Sequence, residues 1–202
     1  MAEFEDLNIT EQEFNKLIEK SNKIYLENQP KEVYFGRCIF LSYYCSVNDC
    51  DFCYRSITTN EDSDPKKMKR GIPSLLTEAI LAKQFGWKIE FITGGYGILT
   101  YEQMVEIARL ISIISEEKMF INLGAMGKPM LEKFKPYVKG IVCSMETIDE
   151  DLRKKVCPSK PTRAYEMFFK TADEIGDMKK GMTMVIGIGE KPEHLEQLFN
   201  FN

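Results

Sequence analysis

Residues 88–124 read KIEFITGGYGILTYEQMVEIARLISIISEEKMFINLG, and this stretch decides the fold class. Lys88–Thr93 is a short apolar run closed by Gly94 and Gly95, which is the pattern of a buried strand ending in a turn. Tyr101–Glu116 follows with apolar residues at helical spacing, and Met119–Leu123 is a second short apolar run. Strand, helix and strand in that order predict a βα unit with parallel strands. The same alternation extends outward. Helix Ser74–Phe85 precedes the unit, and helix Lys128–Phe134, strand Gly140–Ser144, helix Thr162–Ile175 and strand Met182–Ile188 follow it. Pro192 to Phe199 begins one more helix. The strands read as apolar runs (Ile89, Phe91 and Ile92; Ile141 and Val142; Met184, Val185 and Ile186), as burial on both faces requires.

Upstream, Val33–Tyr44 is rich in β-branched and aromatic residues and reads as the first strand. Thr10-Glu11-Gln12-Glu13 has the form of a capping box, so a helix is predicted over Thr10–Leu26. Ser56–Gly71 is polar, carries Asp64-Pro65, and reads as a long loop. The expected fold is α/β, a partial (βα) barrel of parallel strands over residues 33–202, preceded by a helical extension over residues 1–32. Five strands are expected, without a sixth. The run Met184–Ile188 resembles a central strand, so a further segment or another chain is expected to cover it.

Composition narrows the function. The 202 residues are 44% hydrophobic and 29% charged, the balance of an ordinary globular domain. A net charge of −4 and a pI near 5.3 argue against a nucleic-acid partner. The acidic start Met1–Glu13 does not resemble a signal peptide, and no apolar run is long enough to span a bilayer. A cytoplasmic protein without a membrane partner is therefore expected. Six cysteines in such a chain do not read as a disulfide framework.

Three of them, Cys45, Cys50 and Cys53, fall within nine residues, while Cys38, Cys143 and Cys157 are scattered. Three thiolates on one loop can hold three corners of an iron–sulfur cube and leave the fourth iron open. Zinc is the alternative from the residues alone. It normally takes four ligands in a structural site, which Cys38 or Cys157 would have to complete, because the lone histidine, His194, is remote in sequence.

The stretch Cys45-Ser46-Val47-Asn48-Asp49-Cys50-Asp51-Phe52-Cys53 resembles the cluster loop of the radical SAM superfamily. That loop usually places three residues, then two, between its cysteines, with an aromatic residue before the last. Phe52 matches the aromatic position, which the resemblance places near the adenine of S-adenosylmethionine (SAM). The first gap departs from the pattern by holding four residues; longer first gaps occur within the family, notably in the radical SAM maturase of the iron–guanylylpyridinol cofactor. Further matches follow in order. Thr93-Gly94-Gly95-Tyr96 is similar to the segment whose carbonyls hold the methionine amino group. Asn122-Leu123-Gly124 and Ser144-Met145-Glu146-Thr147 resemble the ends of the third and fourth strands in the biotin synthase-like branch, where the acid at Glu146 contacts the ribose or methionine part. Val185-Ile186-Gly187-Ile188-Gly189-Glu190 resembles the fifth-strand signature, with Gly187 and Ile188 beside the adenine. The branch also places an arginine for the SAM carboxylate eleven residues before a helix-ending glycine. Counted from Gly176 that position is Tyr165, and the nearest arginine is Arg163.

The resemblance implies a 4Fe–4S cluster, reductive cleavage of SAM to a 5′-deoxyadenosyl radical, and hydrogen abstraction from a small-molecule substrate. An electron donor such as ferredoxin or flavodoxin is implied with it. Biotin synthase itself carries a second cluster on cysteines at positions matching Phe91, Phe120 and Gly181, none of which can ligate iron. The maturases of hydrogenase cofactors remain, and the wide first gap favours the iron–guanylylpyridinol cofactor over the dinuclear iron centre. A non-catalytic iron–sulfur or zinc protein is the competing class.

Overall fold

The computed structural model describes residues 9–60, 62–191, 193, 194 and 197. Residue contacts divide the chain into two compact units, Met1–Tyr34 and Phe35–Asn202. In the first unit α1 spans Glu11–Asn28. Its capping box forms as the sequence predicts: the Glu13 amide donates to Thr10 Oγ1 at 3.2 Å, and the Thr10 amide donates to Glu13 Oε2 at 2.8 Å. Leu17, Ile18 and Ile24 are all exposed on this helix.

The second unit is built on five strands: β1 (Gly36–Phe40), β2 (Lys88–Thr93), β3 (Met119–Asn122), β4 (Val138–Glu146) and β5 (Lys179–Met184). Each pairs in parallel with the next in sequence, in the order β1-β2-β3-β4-β5. The crossovers are α4 (Ile72–Gln84), α5 (Tyr101–Ser115), α6 (Lys128–Phe134) and, between β4 and β5, α7 (Glu150–Val156) with α8 (Thr162–Ile175). α4 packs on α5, α5 on α6, and α6 on α8. Sequential strands joined by crossovers of one hand place their helices on one face of the sheet, as in a barrel rather than a doubly wound sheet. The five strands form an open sheet, the core of a partial (βα) barrel.

The hydrophobic core lies between sheet and helices. Ile92, Ile121 and Ile141 are in register across β2, β3 and β4, and meet Leu75, Ile107 and Leu131 from the helices. The other sheet face carries Phe91, Phe120 and Gly140 in one row and Asn122 and Ser144 nearer the C-terminal ends. α5 starts from a second capping box, in which the Gln103 amide donates to Thr100 Oγ1 at 3.3 Å and the Thr100 amide to Gln103 Oε1 at 3.1 Å. α7 starts at Asp149, whose carboxylate accepts from the amides of Asp151 and Leu152.

Several boundaries differ from the sequence reading. β1 is shorter than Val33–Tyr44, because Tyr43 turns away to donate to the Met68 carbonyl at 3.0 Å. Ser56–Gly71 is no bare loop, since α2 (Tyr54–Thr58) ends within it and α3 (Pro65–Met68) is enclosed by it. β4 extends at both ends beyond Gly140–Ser144, and α7 adds a helix between β4 and α8 that the apolar periodicity does not predict.

The largest correction is β5, which runs Lys179–Met184 and not Met182–Ile188. Gly187 and Gly189 take positive φ (95° and 114°), and the Glu190 carboxylate accepts from the Gly187 and Ile188 amides, so the apolar run after Met184 is a turn. Ile186 is 69% exposed there. Among the described residues β5 pairs with β4 alone, and its Lys179, Lys180 and Thr183 suit a sheet edge. The apolar run that suggested a central strand therefore lies outside the sheet. The helix expected over Pro192–Phe199 falls largely outside the described residues.

Candidate active site

The cysteine loop leaves β1 at Leu41, whose amide donates to the Thr93 carbonyl at 2.8 Å. It then lies across the end of β2, where the Ser46 amide donates to the Tyr96 carbonyl at 3.0 Å. Gly95 makes this approach possible: a Cβ there would collide with the Tyr44 carbonyl and come within 2.9 Å of the Cys45 Cα. The first gap is taken up by Asn48 in the left-handed conformation (φ 50°), with its side-chain amide donating to the Thr59 carbonyl at 2.7 Å. Cys50 and Cys53 close a turn, the Cys53 amide donating to the Cys50 carbonyl at 3.0 Å. The loop is also tied to the far side of the barrel. The Asp51 amide donates to the Val156 carbonyl at 2.9 Å, and Asp49 Oδ2 accepts from the Ser159 amide at 3.0 Å.

Cys45, Cys50 and Cys53 thus line one cavity of about 340 Å³ at the C-terminal ends of the strands. Phe52, Thr93, Gly94, Gly95 and Glu146 line it with them. Parallel βα folds place their ligand sites at this end. Among the described residues no three Cys, His, Asp or Glu side chains are drawn together tightly enough to hold a single metal ion. The donor set nonetheless fits an iron–sulfur cluster, since three soft ligands on one short loop line one cavity beside Gly94 and Gly95. Burial pushes the Cys50 thiol up to about 12 against the pull of the Lys160 ammonium, whereas a coordinating metal ionises such a thiol outright.

Three expected residues fall elsewhere. Arg163 is exposed on the first turn of α8 and does not line the cavity. Gly187 and Ile188 are also outside it, their amides engaged by Glu190, and Val185 lines the wall in their place. Tyr165 occupies the wall where a cation was expected, with Tyr96 beside it. Burial raises both phenols above the ordinary tyrosine value.

The cation that does reach the cavity wall from this side is Lys160, which the sequence reading missed. Its Nζ lies 2.7 Å from Glu146 Oε1. Burial works against the Lys160 ammonium, but the Glu146 carboxylate, aided by Cys50 and Tyr96, more than offsets it and holds its pKa above the usual lysine value. Only the loop Pro158-Ser159-Lys160-Pro161 marks it in sequence, and a lysine between two prolines carries no chemical signature. Asn122 and Ser144 complete the wall, Asn122 Nδ2 donating to Ser144 Oγ at 3.0 Å.

The profile of the Radical SAM superfamily matches residues 39–201, from the end of β1 through the cysteine loop and β2 to β5. The chain belongs to the radical SAM superfamily. Enzymes of this superfamily use a 4Fe–4S cluster and SAM. The uncharacterized protein MJ0597 of Methanocaldococcus jannaschii is 35% identical over 182 residues, which is 90% of this chain and 50% of the relative. The chain spans about half the length of the curated relatives it matches. Among solved structures, methylornithine synthase (PylB) superposes with a TM-score of 0.79 at 19% identity, covering 93% of this chain and 55% of its own. HydG, a maturase of the FeFe hydrogenase, gives 0.74 at 15% identity over 95% of this chain and 46% of its own. Both likenesses concern the fold. No helix among the described residues is long and apolar enough to cross a membrane.

Proposed function

We propose that this chain holds the cluster on Cys45, Cys50 and Cys53 and binds SAM in the adjoining cavity, for hydrogen abstraction from a small-molecule substrate. The observation that carries this reading is the seating of the cysteine loop on Gly95, which brings three thiols and the Gly94–Gly95 strand end to one cavity. When bound, a reduced 4Fe–4S cluster supplies the electron that cleaves SAM. The residues bind and orient. Thr93, Gly94 and Gly95 present backbone groups at the end of β2, Phe52 offers an aromatic face beside the last cysteine, and Glu146 faces them from β4. The buried Tyr165 and the half-buried Tyr96 on the cavity wall limit access of water.

Anaerobic reconstitution with iron and sulfide tests the reading. A brown chromophore and an EPR signal of the reduced cluster that changes on adding SAM are expected. Cys50→Ala should lose the chromophore, while Cys38→Ala, Cys143→Ala and Cys157→Ala keep it. Full iron and sulfide content in the Cys50 variant would end the assignment. The electron donor is a small redox protein such as ferredoxin or flavodoxin, and reduction by either, followed by EPR, checks that part.

A narrower reading, maturation of the iron–guanylylpyridinol cofactor of hydrogenase, is supported by the four-residue gap between Cys45 and Cys50 that Asn48 accommodates. It predicts that a pyridinol precursor accelerates formation of 5′-deoxyadenosine from SAM. Unchanged turnover with such precursors would refute it.

A further inference from the structure

Neither the thiol loop nor the sheet needs the Lys160–Glu146 ion pair. The two side chains are 15% and 10% exposed, and a pair so buried adds little net stability because desolvation offsets the attraction. The fold nevertheless fixes both partners from behind. Arg153, 1% exposed, donates to the carbonyls of Met145 and Thr147, which flank Glu146, and at 2.8 Å to the carbonyl of Lys160 itself. Glu146 is also held in the left-handed conformation (φ 62°), its carbonyl accepting from the Val185 amide at 2.9 Å. One buried guanidinium thereby sets the spacing of a positive and a negative group on the cavity wall.

A wall built this way suits a ligand that carries both charges, and the amino-acid end of SAM carries an ammonium and a carboxylate. We propose that Lys160 binds the SAM carboxylate, exchanging Glu146 for it, and that Glu146 is thereby freed to accept from the donor groups of the ligand. The exchange replaces one carboxylate partner of Lys160 by another, and the ligand's donor groups take the Glu146 carboxylate, so neither charge is stranded in the buried wall. The other candidates on the chain are committed or remote. Arg55 lines the same cavity, but it donates to the Ser42 carbonyl at 3.3 Å and lies over the Phe40 ring at 5.0 Å. Arg163 is exposed outside the cavity. The assignment depends on SAM occupying this cavity, as proposed for the reaction.

Binding of SAM and of decarboxylated SAM to the reconstituted protein, measured by equilibrium dialysis, tests it. Lys160→Met should weaken SAM by about ten- to a hundredfold, the value of one charge-assisted hydrogen bond. It should change decarboxylated SAM by no more than about twofold. Equal weakening of both compounds, with wild-type binding intact, overturns the Lys160 assignment alone. Failure of the wild-type protein to bind either compound overturns the SAM site and this inference with it. If Lys160→Met does not keep its iron, Glu146→Gln decides. Lys160 then has no competing carboxylate, so the preference for SAM over its decarboxylated form should widen whatever happens to overall affinity. A narrowed preference in that variant would overturn the proposal.

Discussion

Replacing Arg153 by alanine should cost the protein about 3–5 kcal/mol of stability, the range seen when one member of a buried, paired polar network is removed. The figure follows from what the guanidinium touches. It donates to three main-chain carbonyls, Met145, Thr147 and Lys160, from a position 1% exposed. Each such bond from a charged donor contributes about 1.5–3 kcal/mol, and the desolvation of the guanidinium offsets part of the sum. Its Nε has no hydrogen-bond partner and only a distant ion pair with Glu150 at 3.7 Å, which limits the total from above. For a chain of this size the loss corresponds to a Tm lower by about 6–20 °C, read by circular dichroism. Arg153→Lys should recover less than half, because one ammonium cannot reach three diverging carbonyls. A loss below about 1 kcal/mol for the alanine variant would refute the reasoning, since it would mean that β4, α7 and the Lys160 loop hold their places without Arg153.

Gly95→Ala should prevent cluster incorporation, because its Cβ meets the Tyr44 carbonyl and the loop must lift; iron and sulfide content after reconstitution reads this directly. Thr100→Ala removes the side-chain half of the capping box on α5 and should cost about 1 kcal/mol in urea unfolding. Burial pushes the Cys143 thiol up to about 12 from an unfolded value near 9, so its contribution is full below about pH 9 and is lost as pH rises toward 12. The alkaline limb of the stability curve should therefore be shallower in Cys143→Ala, and an unchanged limb would show that Cys143 is not the group responsible.

The parts of the fold legible in the sequence were those where local chemistry and burial agree. Strand Lys88–Thr93 and helices Lys128–Phe134 and Thr162–Ile175 lie where their apolar periodicity puts them, since each turns one face to the same core. β5 misled because an edge strand is not required to be apolar. Lys179-Lys180-Gly181 pairs with β4 through its backbone, while the apolar Val185–Ile188 run is turned by two glycines and the Glu190 carboxylate. The site divides the same way. Cys45, Cys50 and Cys53 were legible because their spacing is itself the signal. Lys160 was not, because it reaches Glu146 across a helix and two loops, and only the tertiary fold puts the two together.

The conformation of Glu146 supports the role proposed for that pair. It ends β4 at a register shift against β5 and takes a left-handed φ of 62°, which costs an ordinary residue about 1–2 kcal/mol. Glycine would adopt that conformation without strain, so stability alone argues against glutamate here. Nor does the ion pair repay the strain, for burial removes most of what the attraction gives. The surrounding structure is what holds the conformation, through Arg153 on both flanking carbonyls and the Val185 amide on its own. A strained residue held from three sides, with its carboxylate turned to a cavity lined by three thiols, is the arrangement expected where a side chain is kept for what it binds.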